Sequence, residues 1–135
     1  MLLQKLHHVC IQTGRYRESL GFYRDMLGFT VLKETPDFHD REYNTWLQNG
    51  SFLIELQTVK AGRELSAWSP RQSGPVHLCF LVDDVREALA ELKKKGYRDF
   101  KTRDGAELYR VEGGYLFKVK APEGTEIEIR DYPGV

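Results

Sequence analysis

Three scarcities bound what this chain can be. The first is charge of either sign in excess: 20 Lys plus Arg meet 20 Asp plus Glu, so the formal net charge is zero. A protein that neutralises a phosphate backbone normally carries a basic surplus, and the balance argues against nucleic acid as a partner. It also leaves little net repulsion to oppose self-association. The second scarcity is long apolar sequence. No run approaches the roughly 20 residues that span a bilayer, and the opening residues lack the apolar core and cleavage site of a secretory leader. A membrane is therefore not expected as a partner, and the expected location is cytoplasmic. The third is cysteine. Cys10 and Cys79 are the only two, and in that setting they are expected to be reduced core thiols rather than a bridge.

What is present is an ordinary globular balance over 135 residues, 41% hydrophobic and 30% charged. That is one domain, or two very small modules sharing a core. A domain of this size buries roughly two thirds of its unfolded surface and needs no structural metal to fold. A bound metal would then serve function.

The chain repeats itself. His8-Val9-Cys10-Ile11 reappears, 69 residues on, as His77-Leu78-Cys79-Phe80. Arg17, Glu18 and Leu20 fall on Arg86, Glu87 and Leu89 at the same offset. His and Cys are uncommon residue types, so chance is a poor explanation, and an offset near half the chain length points to two paired modules rather than a solenoid.

Each half opens with a short strand, over 6–11 and 76–82, rich in Val, Ile, Leu and Phe. An amphipathic helix follows in both. Tyr16, Leu20, Tyr23 and Leu27 make the first apolar stripe, stopped by Gly28. Val85, Leu89 and Leu92 make the second, stopped by Gly96, with Asp83 or Asp84 as its cap. Strand patterns over 29–33, 43–48 and 52–58 complete the first half, with a hairpin turn at Asn49-Gly50. Strands over 98–102, 108–112 with 116–120, and 125–130 complete the second, turned by Gly113-Gly114 and Pro122-Glu123-Gly124. Residues 34–41 are expected to form a loop. The expected organisation is one α+β domain over 1–135: two paired βαβββ modules, at about 5–59 and 75–132, joined by a polar linker at about 60–74.

Four polar side chains stand at duplicated positions. His8 pairs with His77 on the first strand of each half. The last strands pair as well: Phe52-Leu53-Ile54-Glu55-Leu56 resembles Thr125-Glu126-Ile127-Glu128-Ile129, which matches Glu55 with Glu128. Alternate residues of a strand face opposite sides. Val76, Leu78, Phe80 and Val82 form an apolar face, and His77 and Cys79 share the other. Transferred to the first half, this puts His8 and Cys10 on the polar side and selects His8 over His7. A carboxylate on an apolar strand needs a partner. Two imidazoles and two carboxylates suit one divalent cation such as Ni, Zn, Co, Mn or Fe. Trp46, Trp68, Tyr109 and Tyr115 can line a small-molecule pocket, though core or rim positions account for such aromatics more often.

At this point the residues resemble a known family, the vicinal oxygen chelate superfamily, which includes glyoxalase I, extradiol dioxygenases, fosfomycin-resistance enzymes and bleomycin-binding proteins. The marks are Leu6-His7-His8-Val9, Phe22-Tyr23 with Leu27-Gly28-Phe29, Ile54-Glu55-Leu56, Val76-His77-Leu78, and Pro122-Glu123-Gly124 before Ile127-Glu128-Ile129. The resemblance implies paired βαβββ modules forming a cupped mixed sheet around a metal, with ligands at His8, Glu55, His77 and Glu128. It implies a homodimer acting on a small-molecule substrate. A full set of four ligands is similar to glyoxalase I-like members, where a lyase or isomerase moves a proton next to a carbonyl through a metal-stabilised enediolate. Glu128, or alternatively Glu55, would then be the proton-carrying base. Other activities of the scaffold, dioxygenase or thiol transferase, and non-enzymatic drug or metabolite binding are the alternatives. The glutathione-holding pattern of bacterial glyoxalases, an Arg four residues after the first His and an Asn four after the first Glu, is not matched: Gln12 and Val59 stand there.

Overall fold

The computed structural model describes residues 2–135. The chain divides into two compact units, Met1–Ala67 and Trp68–Val135. Both are α+β.

The first unit holds β1 (His8–Thr13), α1 (Tyr16–Gly21), a π-helical turn (Phe22–Met26), β2 (Thr30–Phe38), β3 (Arg41–Asn49) and β4 (Phe52–Thr58). Its mixed sheet runs in the order β1-β4-β3-β2, with β1 parallel to β4 and the other pairs antiparallel. Alternation decides which face is dry. Ile54 and Leu56 of β4 and Leu47 of β3 are fully buried, beside Ile11, Tyr16, Leu20, Phe22, Tyr23 and Phe29. Each such aliphatic side chain contributes about 1.5–3 kcal/mol of burial.

Two expectations fail here for physical reasons. The helical stripe holds through Tyr16, Leu20 and Tyr23 and departs only at Leu27, because the backbone widens to the π turn and the Leu27 N–H reaches back to the Phe22 carbonyl at 3.1 Å. The extra residue rotates the end of the turn, so Leu27 is only half-buried. The expected loop over 34–41 is instead a hairpin: β2 continues to Phe38 and pairs with β3 through Phe38 and Arg41. Pro36 is tolerated because β2 is an edge strand. The reversal uses left-handed backbone at His39 and Asp40, with φ of 45° and 63°.

The second unit holds β5 (His77–Leu81), α2 (Val85–Lys94), β6 (Phe100–Lys101), β7 (Tyr109–Val111), β8 (Gly114–Lys120) and β9 (Glu126–Arg130). Its sheet runs β5-β9-β8-β6, with β5 parallel to β9, and β7 also pairs with β8. The second half thus carries one strand more than the βαβββ pattern, because the 98–120 region forms two short partners for β8. Asp84, not Asp83, caps α2: its carboxylate accepts from the N–H groups of Arg86 (2.8 Å) and Glu87 (3.0 Å). The helix ends as Gly96 implied. Gly96 has φ 96°, its N–H reaches Lys93 O, and the Tyr97 N–H reaches Leu92 O, a Schellman closure. Val85, Leu92, Phe117, Val119, Ile127 and Ile129 form the buried layer. No helix of the described residues is long and apolar enough to cross a membrane.

Candidate metal centre

In each unit the first strand lies parallel to the last in the same register. His8 is opposite Leu53 and Cys10 opposite Glu55; His77 is opposite Glu126 and Cys79 opposite Glu128. In both cases the imidazole meets the carboxylate two residues along the neighbouring strand, on the sheet face away from Ile54 and Leu56 or from Ile127 and Ile129. His8 Nε2 lies 3.8 Å from Glu55 Oε1, and His77 Nε2 lies 3.6 Å from Glu128 Oε2.

These separations are informative. They are longer than a hydrogen bond. Two donors each about 2.0–2.2 Å from a shared divalent ion stand roughly 3 Å apart or slightly more. Each pair is therefore poised around a gap that a cation can fill after a small adjustment, and imidazole with carboxylate is a fitting donor set for it. Among the described residues no group of three or more His, Cys, Asp and Glu side chains gathers as a metal site. The structure brings the four sequence-selected residues together two by two, one pair in each unit.

His7 has a part that strand parity did not foresee. It is exposed and precedes β1, yet its Nδ1 lies 2.8 Å from His8 Nδ1. One ring nitrogen of His8 is thereby occupied and the other, Nε2, is left facing Glu55. Fixing the far nitrogen is how a ligating imidazole is usually oriented. Trp46 adds an edge-to-face contact to His8 with ring centroids 4.9 Å apart.

The cysteines correct an expectation. Cys10 and Cys79 are exposed rather than core residues, because they share the polar face with the histidines. Cys10 Sγ donates to Gln57 Oε1 at 3.2 Å, and Cys79 Sγ donates to Glu128 Oε1 at 3.5 Å. Partial burial first, then the charge of Glu55 or Glu128, pushes each thiol up to about 11. Both thiols act here as hydrogen-bond donors to their neighbours.

The two pairs differ in company. Glu55 is faced by His8 and the Cys10 thiol. Glu128 is only 7% exposed, and it is also approached by Lys118 Nζ (3.6 Å) and Arg130 Nε (3.2 Å). Lys118 in turn meets Glu126 at 3.2 Å, as does Lys101. Burial alone would raise the Glu126 carboxyl, but hydrogen bonds and charge from Lys118 and Lys101 outweigh it and hold it below its ordinary value. Burial likewise pulls the Lys118 ammonium down, and Glu126 more than offsets it. The basic residues of this network lay outside the sequence-selected set, because a Lys or Arg on a strand is unremarkable until its register is known.

A family model described as the Glyoxalase/Bleomycin resistance protein/Dioxygenase superfamily matches residues 5–129. The chain belongs to this superfamily. An uncharacterized protein of Escherichia coli strain K12, YaeR, is 35% identical over 92 residues, spanning 67% of this chain and 70% of that protein. A glyoxalase family protein from Enterococcus faecalis, 25% identical, superposes with a TM-score of 0.79 over 96% of this chain and 99% of that one. The trypanothione-dependent glyoxalase I of Leishmania major, 24% identical, has the same fold, with a TM-score of 0.69 over 96% of this chain and 87% of its own. Members of the superfamily typically bind a divalent metal and small molecules.

Of the aromatic residues named from sequence, Trp46 alone touches a candidate ligand. Trp68 rests on Gly124, where an added Cβ would fall 2.6 Å from the Trp68 Cβ. Tyr115 and Tyr109 are each covered by an arginine, Arg86 at 5.0 Å and Arg103 at 5.8 Å from the ring centroid. Gln12 does not stand free: its Oε1 accepts from Arg41 Nη1 at 2.8 Å.

Proposed function

We propose that this protein is a divalent-metal-dependent lyase or isomerase of the glyoxalase I type, which moves a proton next to a carbonyl group of a small molecule. The observation that carries the reading is the duplicated His–Glu pair, set at 3.8 Å and 3.6 Å in the same strand register in both halves. His8, Glu55, His77 and Glu128 are the proposed ligands of one metal, drawn from Ni, Zn, Co, Mn and Fe.

When bound, the metal supplies Lewis-acid polarisation of the substrate's carbonyl oxygen. The protein's own part is to position and to move the proton. His8 is held by His7 so that Nε2 alone faces Glu55. The base must leave its partners to reach a carbon atom. Glu128 has Cys79, Lys118 and Arg130 to leave besides His77, whereas Glu55 has His8 and Cys10. That difference favours Glu55 as the proton carrier over Glu128, with Glu128 as the fixed partner. The protein acts in the cytoplasm, as a homodimer, in this reading.

The experiment is metal analysis by mass spectrometry on protein purified without affinity-tag nickel, followed by chelation, reloading and an assay of solvent deuterium entering next to the carbonyl of 2-oxoaldehyde–thiol adducts. One divalent ion per chain, with exchange that disappears on chelation and returns on reloading, supports the proposal. A chain that takes up no metal overturns it.

A further inference from the structure

The repeat supplies an internal control for the charges beside Glu128. Lys118 lies directly opposite Glu128 in the β8–β9 ladder, and Arg130 lies two residues beyond it on the same face. The corresponding places in the first half are Trp46, opposite Glu55, and Gln57, two residues beyond. Both are neutral. Glu55 thus has no lysine or arginine at either corresponding position, and the cation that bears on that face, Arg41, is bonded to Gln12 Oε1 and the Thr58 carbonyl.

The cations of the second half are in excess. Lys101, Lys118 and Arg130 face two carboxylates, Glu126 and Glu128, and Glu128 already serves His77. The side chains of Lys118 and Arg130 are 16% and 17% exposed, so their charges are only weakly screened by water. Arg130 is poorly satisfied. Its buried Nε lies 3.2 Å from Glu128 but makes no hydrogen bond, and its Nη1 makes one long contact of 3.4 Å with Pro133 O. A guanidinium is a planar fork of donors that matches a carboxylate or phosphoryl group in two-point contact. Among the described residues no carboxylate is seen to take that two-point contact with Arg130.

We propose that Lys118 and Arg130 form an oxyanion-binding site beside His77 and Glu128, and that the substrate carries a carboxylate or phosphoryl group which this pair holds. As a statement about substrate class it rests on the metal-enzyme reading above; as a binding site it does not. The oxyanion replaces the shortfall of negative charge and completes the hydrogen bonds of Arg130. The first half carries the neutral Trp46 and Gln57 at the corresponding positions.

The test uses the full chain, metal-free and metal-loaded, with inorganic phosphate and methylphosphonate as probes followed by calorimetry. Wild-type protein should bind both probes without metal. Lys118→Gln and Arg130→Gln should each weaken binding about tenfold or more, the loss typical of one charge-assisted contact, with circular dichroism unchanged. Glu128→Gln removes the competing carboxylate and should tighten binding, an outcome that a purely structural network would not give. It also keeps the proposal testable where a cation variant folds poorly. Equal probe affinity in wild type and Arg130→Gln, or weaker binding by Glu128→Gln, overturns the proposal. Metal uptake is measured on the same samples. Probe binding that depends on Arg130 in a chain that never takes metal upholds the oxyanion site while removing the enzyme reading, and normal metal uptake with no probe binding does the reverse.

Discussion

Glu126→Gln is the sharpest test of the charged network in the second half. The carboxylate is 8% exposed and lies 3.2 Å from Lys118 Nζ, with Lys101 Nζ at 3.3 and 3.2 Å from its two oxygens. At an effective dielectric of about 20, a charge pair at that distance attracts by roughly 5 kcal/mol before desolvation is counted. The two partners are not equal. Lys101 has a side chain 56% exposed, and its pair is worth about 0–1 kcal/mol net. Lys118 is 16% exposed, and removing its principal partner approaches the orphaning of a buried charge, about 3–5 kcal/mol. Glu128 at 3.6 Å remains as a second partner, so the expected loss is about 2 kcal/mol. That lowers the urea midpoint by about 1 M for a domain of this size.

The pH dependence of the same variant follows from linkage. Glu126 has a folded pKa lowered from its ordinary 4.5, so its contribution is present above 4.5 and is lost as pH falls through the lower folded value. Lys118 has a folded pKa raised from 10.5, so its contribution is present below 10.5 and is lost as pH rises through the higher folded value. The gap between wild type and variant should be flat across the neutral range and shrink on the acid side, as read by urea unfolding at a series of pH values. A variant within about 0.5 kcal/mol of wild type at neutral pH would refute the reasoning, because surface changes lie within that range. So would a gap that does not narrow in acid.

Other outcomes can be checked with single variants. His77→Ala and His8→Ala should each lower metal occupancy sharply while circular dichroism is unchanged, whereas His7→Ala, which removes only the partner of His8 Nδ1, should weaken metal binding about 10-fold or somewhat more, as for a group that orients a ligand. Glu55→Gln should abolish proton exchange in a chain that still holds metal, and Glu128→Gln should retain the greater share of it; deuterium incorporation measured on metal-matched samples distinguishes the two. Gly114→Ala would place a Cβ 2.3 Å from the Cβ of Tyr132 and should cost about 1–3 kcal/mol in a denaturant titration, with part of the loss recovered when Tyr132 is also made Gly. Asp84→Ala removes two hydrogen bonds at the start of α2 and should cost about 1 kcal/mol in the same titration.

Much of this architecture is legible in the sequence because it is written twice. One repeat of an uncommon pair, His and Cys, aligns the halves, and two-residue periodicity then puts His8 with Glu55 and His77 with Glu128 on the face opposite the buried isoleucines. Gly96 and Asp84 declare the ends of α2 through local chemistry. Elsewhere the determining physics is not local. A π turn leaves no mark in a stripe of Tyr16, Leu20, Tyr23 and Leu27, since it comes from how the backbone closes at Phe22 to Leu27. Pro36 reads as a loop residue until β2 is known to be an edge strand. Cys10 and Cys79 read as core residues by type, although their parity with the histidines already assigns them to the open face. The link from Arg130 and Lys118 to Glu128 needs the register of β8 against β9, which no pattern along the chain contains.

The chain has two tryptophans, and the fold distributes them one to each unit. Trp46 lies edge-on to His8, and Trp68 is seated against Gly124 at the start of the second half. The molecule therefore carries a separate fluorophore for each copy of its ancient repeat. Replacing either indole by phenylalanine leaves a chain whose emission follows one half alone. Ions arriving at His8 would register in Trp46, and melting of the second sheet would register in Trp68. Coincident transitions from the two single-tryptophan chains would mean that the halves fold as one cooperative body. Separate transitions would mean that duplication left two semi-independent folding units, each able to open while the other stays closed.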